Sequence, residues 1–300
     1  MSGLLRGLTQ FLITLLAVVG VTFLFVHALP GDPAELYAGE EASADDLEAV
    51  RRRLGLDRPL LVQVLRYGGS LIRGDLGVSL RSGAPVSDEI ASRAGVTLKL
   101  TGLATLIGVL WAIPAGILGA VGTRPALARF LDWTGLVVLA MPVYWLGLLL
   151  ILLFSVAWRL LPPGGSESWA HLLLPALALG AHTGAAAARI LEASLADVLG
   201  RPYLLTARGK GATRLRTVLV HAAPNAAAPV ITFLGMETGR LLGGAVLTET
   251  VFSINGLGRF LVASIVFRDY PAVIGVVLVM ALGVSCANAA ADALCALLRR

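Results

Sequence analysis

The stretch Leu204-Leu205-Thr206-Ala207-Arg208-Gly209-Lys210-Gly211-Ala212-Thr213, with His221-Ala222-Ala223-Pro224-Asn225 beyond it, decides the fold. It sits in a basic segment, Arg189 to Asn225, that is too polar to cross a bilayer. That segment also exceeds the roughly two to eight residues of a plain connection between bundle helices. A short helix ended at the glycines would set Arg208 and Lys210 on a surface. On loop chemistry alone two readings stay open. One is a basic loop kept on the inner side of a membrane; the other is a built element with a task of its own.

What flanks this stretch is apolar. Of 300 residues, 57% are hydrophobic and only 14% are charged, against roughly 25% charged in a soluble domain. So much apolar sequence calls for lipid as solvent. Six stretches can span an apolar slab of roughly 30 Å. They lie near 8–28, 96–121, 134–158, 172–190, 228–248 and 271–295. The expected fold class is an all-α, polytopic bundle of six transmembrane helices. Leu12 to His27 follows Arg6 as a signal peptide would, but Ala28-Leu29-Pro30-Gly31-Asp32-Pro33 is a poor cleavage site, so this stretch is read as a retained first helix. The fourth span is rich in Ala and Gly, which lets backbones approach closely, and is expected inside the bundle.

Orientation follows from the short loops. Arg124 and Arg129 follow span two; Arg189, Arg201, Arg208, Lys210, Arg214 and Arg216 follow span four; Arg6 and Arg299-Arg300 lie at the ends. The segment 160–171 has no Lys or Arg, and 249–270 balances Arg259 and Arg268 with Glu249 and Asp269. Both termini are therefore expected in the cytoplasm. Residues 30–95, with eight Arg and eleven acids, form an outside segment. Ser43 and Asp46 resemble a capping box, with Leu47, Val50 and Leu54 on one face. Pro59 then opens a second apolar face, Leu61, Val64, Leu65 and Leu71, closed by Gly74. The net charge of +5 does not point to nucleic acid, since the basic residues form no long run. Cys286 and Cys295 lie nine apart, about 13.5 Å along a helix, too far for a mutual disulfide.

The decisive stretch resembles the coupling loop of ABC importer permeases, whose loose pattern is Glu-Ala-Ala, three residues, Gly, nine residues, Ile-x-Leu-Pro. Gly211 stands at the motif glycine, Pro224 at the motif proline, and Thr206-Ala207 at the two alanines, with Leu205 in place of Glu. The peptide/nickel branch has a run similar to Tyr-x-x-Thr-Ala-Arg-Ala-Lys-Gly. Here Tyr203 to Gly211 departs from it only at Gly209. Further pieces of that branch follow in order: Leu29-Pro30-Gly31-Asp32-Pro33-Ala34, Gly55-Leu56-Asp57-Arg58-Pro59-Leu60, Gly74-Asp75-Leu76-Gly77-Val78-Ser79, Met141-Pro142-Val143-Tyr144-Trp145-Leu146, Glu249-Thr250-Val251-Phe252, Gly256-Leu257-Gly258-Arg259 and Arg268-Asp269-Tyr270-Pro271, with Asn288 and Asp292 in the last helix. Ile254-Asn255 replaces the usual Trp-Pro, and the chain stops at Arg300 without the usual Asp-Pro-Arg tail.

The resemblance implies a type I ABC importer permease of the bacterial inner membrane, multi-pass, moving peptides, nickel or metal chelates by alternating access. It implies a first helix over 1–29, an extracytoplasmic segment over 30–95 and a five-helix core over 96–300 with its coupling loop near 190–225. It assigns the coupling role to Tyr203, Thr206, Ala207, Arg208, Gly209, Lys210, Gly211, Ala212 and Pro224. The implied partners are a second homologous permease, ABC ATPase subunits, an extracytoplasmic solute-binding protein and membrane lipid. ATP and Mg²⁺ belong to the ATPase subunits. The residues agree: no G-x-x-x-x-G-K-[ST] phosphate loop is present.

In span five, Gly235, Gly239 and Gly243 make one smooth face. The small-residue faces of spans four and five are expected to receive a partner chain. Glu237 and Arg240, three apart, can touch. A charge at membrane depth costs at least ~2.5 kcal/mol unless paired or wet. They are either a self-satisfied structural pair or a polar patch on the translocation pathway. His27, His171, His182 and His221 have no metal-ligand spacing, so no metal site is expected. Rival classes are an intramembrane enzyme, for which Ser285 and His182 could be nominated, and a receptor or scaffold. Nothing local marks an activated nucleophile, and no catalytic residue is expected.

Overall fold

The computed structural model describes residues 17, 20, 21, 24, 34, 42–54, 57–122 and 124–298. Regular structure among them is helical, apart from one isolated bridge between Val78 and Pro85. The helices are α1 (Ala44–Leu54), α2 (Leu60–Ile72), α3 (Val86–Val121), α4 (Pro125–Ala140), α5 (Val143–Ala157), α6 (Trp169–Leu199), α7 (Pro202–Gly209), α8 (Arg214–Gly243), α9 (Val246–Val251), α10 (Leu257–Val266) and α11 (Tyr270–Leu298). Helices α3, α6, α8 and α11 are long and apolar enough to cross a membrane, and α4 with α5 makes a fifth crossing if counted as one. The expected span over 8–28 lies outside the described residues.

Two expected boundaries move. Helix α3 starts at Val86, not 96. Its 36 residues measure about 54 Å, more than the slab requires, and the extra turns carry Asp88, Glu89 and Arg93. The third span begins at Pro125 and bends by 110° between α4 and α5. Pro142 causes the break. It has no N–H to continue a helix, and its ring drives Met141 out of the helical region to φ −94°, ψ 141°. Residues Ile151–Ala157, in the second half of α5, are π-helical.

The chain divides into two compact units: residues 1–95 with Asn255–Leu282, and Val96–Ile254 with Gly283–Arg300. In the first unit, α1 opens on a reciprocal cap. Asp46 N–H donates to Ser43 Oγ at 3.3 Å and Ser43 N–H to Asp46 Oδ2 at 3.2 Å. The hydrogen bonds from Ser43, side chain first and then backbone, hold the Asp46 carboxyl below the usual carboxylate range. Val86, Ile90, Leu257, Ala272, Val276 and Met280 form the unit's buried cluster. Asp269, which the sequence offers only as charge balance for the 249–270 segment, is 1% exposed. It accepts from Ser79 Oγ, from Leu80 N–H at 3.0 Å and from Arg81 N–H at 3.4 Å. Burial of a carboxylate requires such donors, and they fasten the 79–81 turn to the start of α11.

In the second unit α6 is the most enclosed span, with 61% of its apolar window buried against 28% for α3 and α8. A Cβ on Gly184 would meet Gly108 O at 2.8 Å, and one on Gly116 would meet Ala188 O at 2.8 Å, so α3 and α6 touch backbone to backbone. The glycine face of α8 is filled in the same way. Gly239 lies against Val284, where a Cβ would come within 3.2 Å, and Gly235 lies against Ala291. Both small-residue faces are therefore consumed by helices of the same chain, which corrects the expectation that they await a partner. Glu249 is also no loop charge. It is fully buried and accepts from Thr97 Oγ1 at 2.7 Å. Next to it, Phe252 fills the space left by Gly147 and Gly164 and takes a hydrogen bond from Gly165 N–H at 2.8 Å.

Candidate coupling helix and polar pair

Most of the basic segment is helical. Helix α6 runs on to Leu199, α7 occupies Pro202–Gly209, and α8 begins at Arg214. Pro202 starts α7 because a first-turn residue needs no N–H partner and its φ is already helical. Leu204, 1% exposed, is the anchor: it enters a cluster with Leu191, Leu195, Val198, Ala222 and Ala226. Gly211 terminates the element with φ +87°, while Ala212 N–H reaches back to Ala207 O at 3.2 Å and Lys210 N–H to Thr206 O at 3.1 Å. This is a glycine-closed helix end, and the left-handed residue is what the motif glycine supplies. Thr213 Oγ1 then caps α8 by accepting from Arg216 N–H at 3.3 Å.

Tyr203 ties α7 to α8. Asn225 Nδ2 donates to Tyr203 Oη at 3.2 Å and to His221 O at 2.8 Å. Pro224 does not end a loop; it lies within α8, just after a π-helical turn at Thr217–Ala222. A proline inside a helix cannot donate to the preceding turn, and the wider π turn absorbs that. Tyr203, Thr206, Ala207, Lys210, Gly211 and Ala212 line one concavity of about 380 Å³, together with Arg216 and His221. On α7 and the start of α8, Leu205, Leu215, Leu219 and Val220 are also exposed. A surface helix with a hollow and exposed apolar side chains is suited to seating against another protein.

Glu237 and Arg240 lie farther along α8. Arg240 Nε donates to Glu237 Oε2 at 2.9 Å and Nη2 approaches the same oxygen at 2.8 Å. The Glu237 side chain is 17% exposed and that of Arg240 55%. Twelve residues separate Asn225 from Glu237, about 18 Å along α8, so the pair lies well along α8 from the point where Asn225 meets α7. One turn of the same helix also carries Thr238, whose Oγ1 lies 3.2 Å from Thr105 Oγ1 on α3. Among the described residues no three His, Cys, Asp or Glu side chains converge as a metal-ligand set. His171 instead lies 3.1 Å from Glu167 and 2.9 Å from Ser168 Oγ. The sequence offers the buried acids Glu249 and Asp269 only as charge balance. Their signal was an acid beside an apolar helix with a hydroxyl elsewhere able to meet it, and sequence spacing does not pair such distant residues.

Comparison with known proteins places these features. Residues 112–300 match the family described as Binding-protein-dependent transport system inner membrane component. Residues 1–101 match a companion family, Binding-prot-dependent transport system membrane comp, N-term. The glutathione transport system permease protein GsiC of Escherichia coli (strain K12) is 43% identical over 290 residues, covering 97% of this chain and 95% of that protein. The corresponding protein of Salmonella paratyphi A is 44% identical over 293 residues, with the same coverage. Among solved structures, an inward-facing MetNI methionine ABC transporter chain superposes with TM-score 0.58 at 21% identity, over 71% of this chain and 97% of that one. An amino acid ABC transporter gives TM-score 0.55 at 20% identity, over 69% and 93%. At these identities the two structures speak for the fold.

Proposed function

We infer a cargo and a coupling route for this chain, which belongs to the family of binding-protein-dependent transport inner membrane components and is the membrane-spanning subunit of an ATP-binding-cassette importer. Its ATPase is a separate subunit, and a solute-binding protein delivers cargo to it. The cargo is a small peptide. The observation that carries this is the 43% identity over 97% of the chain to a permease named for glutathione, itself a tripeptide.

Helix α7 is the coupling element. It leaves α6 after Leu199, is anchored by Leu204, and hands over to α8 at Arg214. A push on α7 therefore reaches both α6, the buried centre of its unit, and α8, which carries the Glu237–Arg240 pair. Tyr203, Thr206, Ala207, Lys210, Gly211 and Ala212 form the seat, Arg208 and Gly209 complete α7, and Pro224 sets the wide turn behind it. ATP and Mg²⁺ are bound by the ATPase that receives α7. The pair on α8 lines the pathway: it is a charged pair within the apolar stretch 226–243, and Arg240 stays half exposed. A second homologous permease closes the other half of that pathway.

The basic loops 122–125 and 200–216 face the cytoplasm, as do both termini, by the distribution of Arg and Lys. The segment that precedes α3 is extracytoplasmic, and the helices from α3 onward form the core. The test is uptake. The chain is reconstituted in proteoliposomes with its partner permease, ATPases and binding protein, and offered labelled glutathione, a dipeptide, a pentapeptide and Ni²⁺ separately. ATP-dependent accumulation of the short peptides supports the reading; accumulation of Ni²⁺ alone contradicts it.

A further inference from the structure

The last turn of α3 is closed from outside by a residue of α8 that takes no part in the α7 hollow. The final carbonyls of a helix have no partner within it. Gly122, at φ +64°, returns its N–H to Leu118 O at 3.1 Å, which is how a left-handed glycine ends a helix. Val121 O is met from another helix: Arg214 Nη2 donates to it. A cation at a helix C-terminus also complements the partial negative charge gathered there.

Arg214 is firmly based. It is the first residue of α8, and Thr213 fixes its backbone. Thr213 Oγ1 accepts from Arg216 N–H at 3.3 Å, and Thr213 O accepts from Thr217 N–H at 2.8 Å. The guanidinium therefore starts where the chain leaves α7 and enters α8, and it ends on α3. That bond is exposed to water. An exposed neutral hydrogen bond competes poorly there, and a charge-assisted one is about twice as strong.

Two further polar ties join α3 to the same stretch of chain. Thr105 Oγ1 lies 3.2 Å from Thr238 Oγ1 of α8, and Thr97 Oγ1 donates to Glu249 Oε1 of α9 at 2.7 Å. Between them and Arg214, Ala112 of α3 shares a buried cluster with Ala222, Ala226 and Val230 of α8. All these residues belong to the second compact unit. Val121 and Thr97 are twenty-four residues apart, about 36 Å of helix, enough to cross a bilayer core of roughly 30 Å. A helix held at one level can pivot. One held at both ends and in the middle moves with its partner.

We propose, taking α7 as the coupling element, that Arg214 is a positioning residue that carries the movement of α7 to α3. A displacement of α7 shifts the start of α8 and draws the end of α3 with it, so that α3 and α8 travel as one body. Arg214 acts through α3 and not on cargo or nucleotide.

The test uses the reconstituted importer, with variants matched for assembly. Two quantities are read: uptake per ATP hydrolysed, and the adduct between a photo-crosslinking residue at position 207 and the ATPase. In Arg214→Ala, uptake per ATP falls by roughly fivefold or more, the lower end of an ordinary coupling free energy. Arg214→Lys, which keeps a charged donor, regains most of it. The adduct from position 207 is unchanged in both. A covalent tie separates coupling from folding. Val121→Cys/Arg214→Cys, with Cys286→Ser/Cys295→Ser, is compared before and after joining by a bis-methanethiosulfonate linker as long as an arginine side chain. The unlinked complex is uncoupled, and the same complex once linked transports. Normal uptake per ATP in Arg214→Ala overturns the proposal, as does a linked complex that hydrolyses ATP without transport, since the tie would then have to break. Loss of the position 207 adduct in Arg214→Ala assigns the arginine to the ATPase contact and also overturns it. Absence of that adduct in the unaltered importer removes α7 as the coupling element and this role of Arg214 with it, whereas normal coupling in Arg214→Ala with the adduct intact removes only the latter.

Discussion

Replacing Gly211 separates what the coupling helix needs for its own shape from what it needs for a partner. The residue has φ +87° and no neighbouring atom within 4 Å of where a Cβ would be. Within this chain, Ala and Trp therefore meet the same penalty: roughly 1–2 kcal/mol for a left-handed residue bearing a Cβ. Such a cost changes the population of the closed helix end by about 5–30-fold. If α7 is closed by more than that margin, Gly211→Ala couples nearly normally. Gly211→Trp adds bulk that only a docked partner would feel. Binding-protein-stimulated ATP hydrolysis and uptake should then fall far more in Trp than in Ala, while membrane insertion and binding-protein docking are unchanged. The assay is all four quantities on the reconstituted complex. Equal effects of Ala and Trp would assign the role of Gly211 to helix closure alone. Normal stimulation and uptake with Trp would refute α7 as the coupling site.

Three further outcomes are expected. Glu237→Ala should impair transport more than Glu237→Ala/Arg240→Ala, because it leaves a guanidinium unpaired on a membrane helix, at a cost of at least ~2.5 kcal/mol; additive losses in a double-mutant cycle would speak against a working pair. Gly239→Leu should destabilise the chain itself by about 1–3 kcal/mol through overpacking on Val284, lowering the thermal midpoint of chain purified without partners; an effect confined to complex assembly would contradict the intramolecular packing. Asp46 titrates low because Ser43 hydrogen-bonds to its charged form, so its contribution to capping α1 is present above the ordinary carboxylate value and lost as pH falls through the lowered one. Ser43→Ala should return that titration toward the ordinary range, followed by NMR of labelled aspartate.

Much of this architecture could be read from residues alone, for identifiable reasons. The Ala- and Gly-rich content of α6 implied enclosure because only small side chains let backbones touch. Ser43 and Asp46 implied a helix start because the cap is local. The α7 segment could be read because its proline, small residues and glycine each act within a few positions. Other features were hidden because they join distant residues. A glycine row shows that a neighbour is close but does not name it, and Val284 and Ala291 turned out to be that neighbour. Glu249 and Asp269 looked like loop charges because nothing near them in sequence announces Thr97 or Ser79 as donors. The 110° break was written in Met141-Pro142, yet the apolar run continues through it, and hydropathy does not register direction.

The proposed role of α7 is to be the surface on which the ATPase acts. A photo-crosslinking residue at position 207, in the α7 hollow, and another at position 166, in the 158–168 connection, test it directly in the assembled importer. An adduct between position 207 and the ATPase subunit, sensitive to ATP, is expected, with none from position 166. An ATPase adduct from position 166 with none from position 207 would contradict both the coupling role of α7 and the orientation of the chain in the membrane.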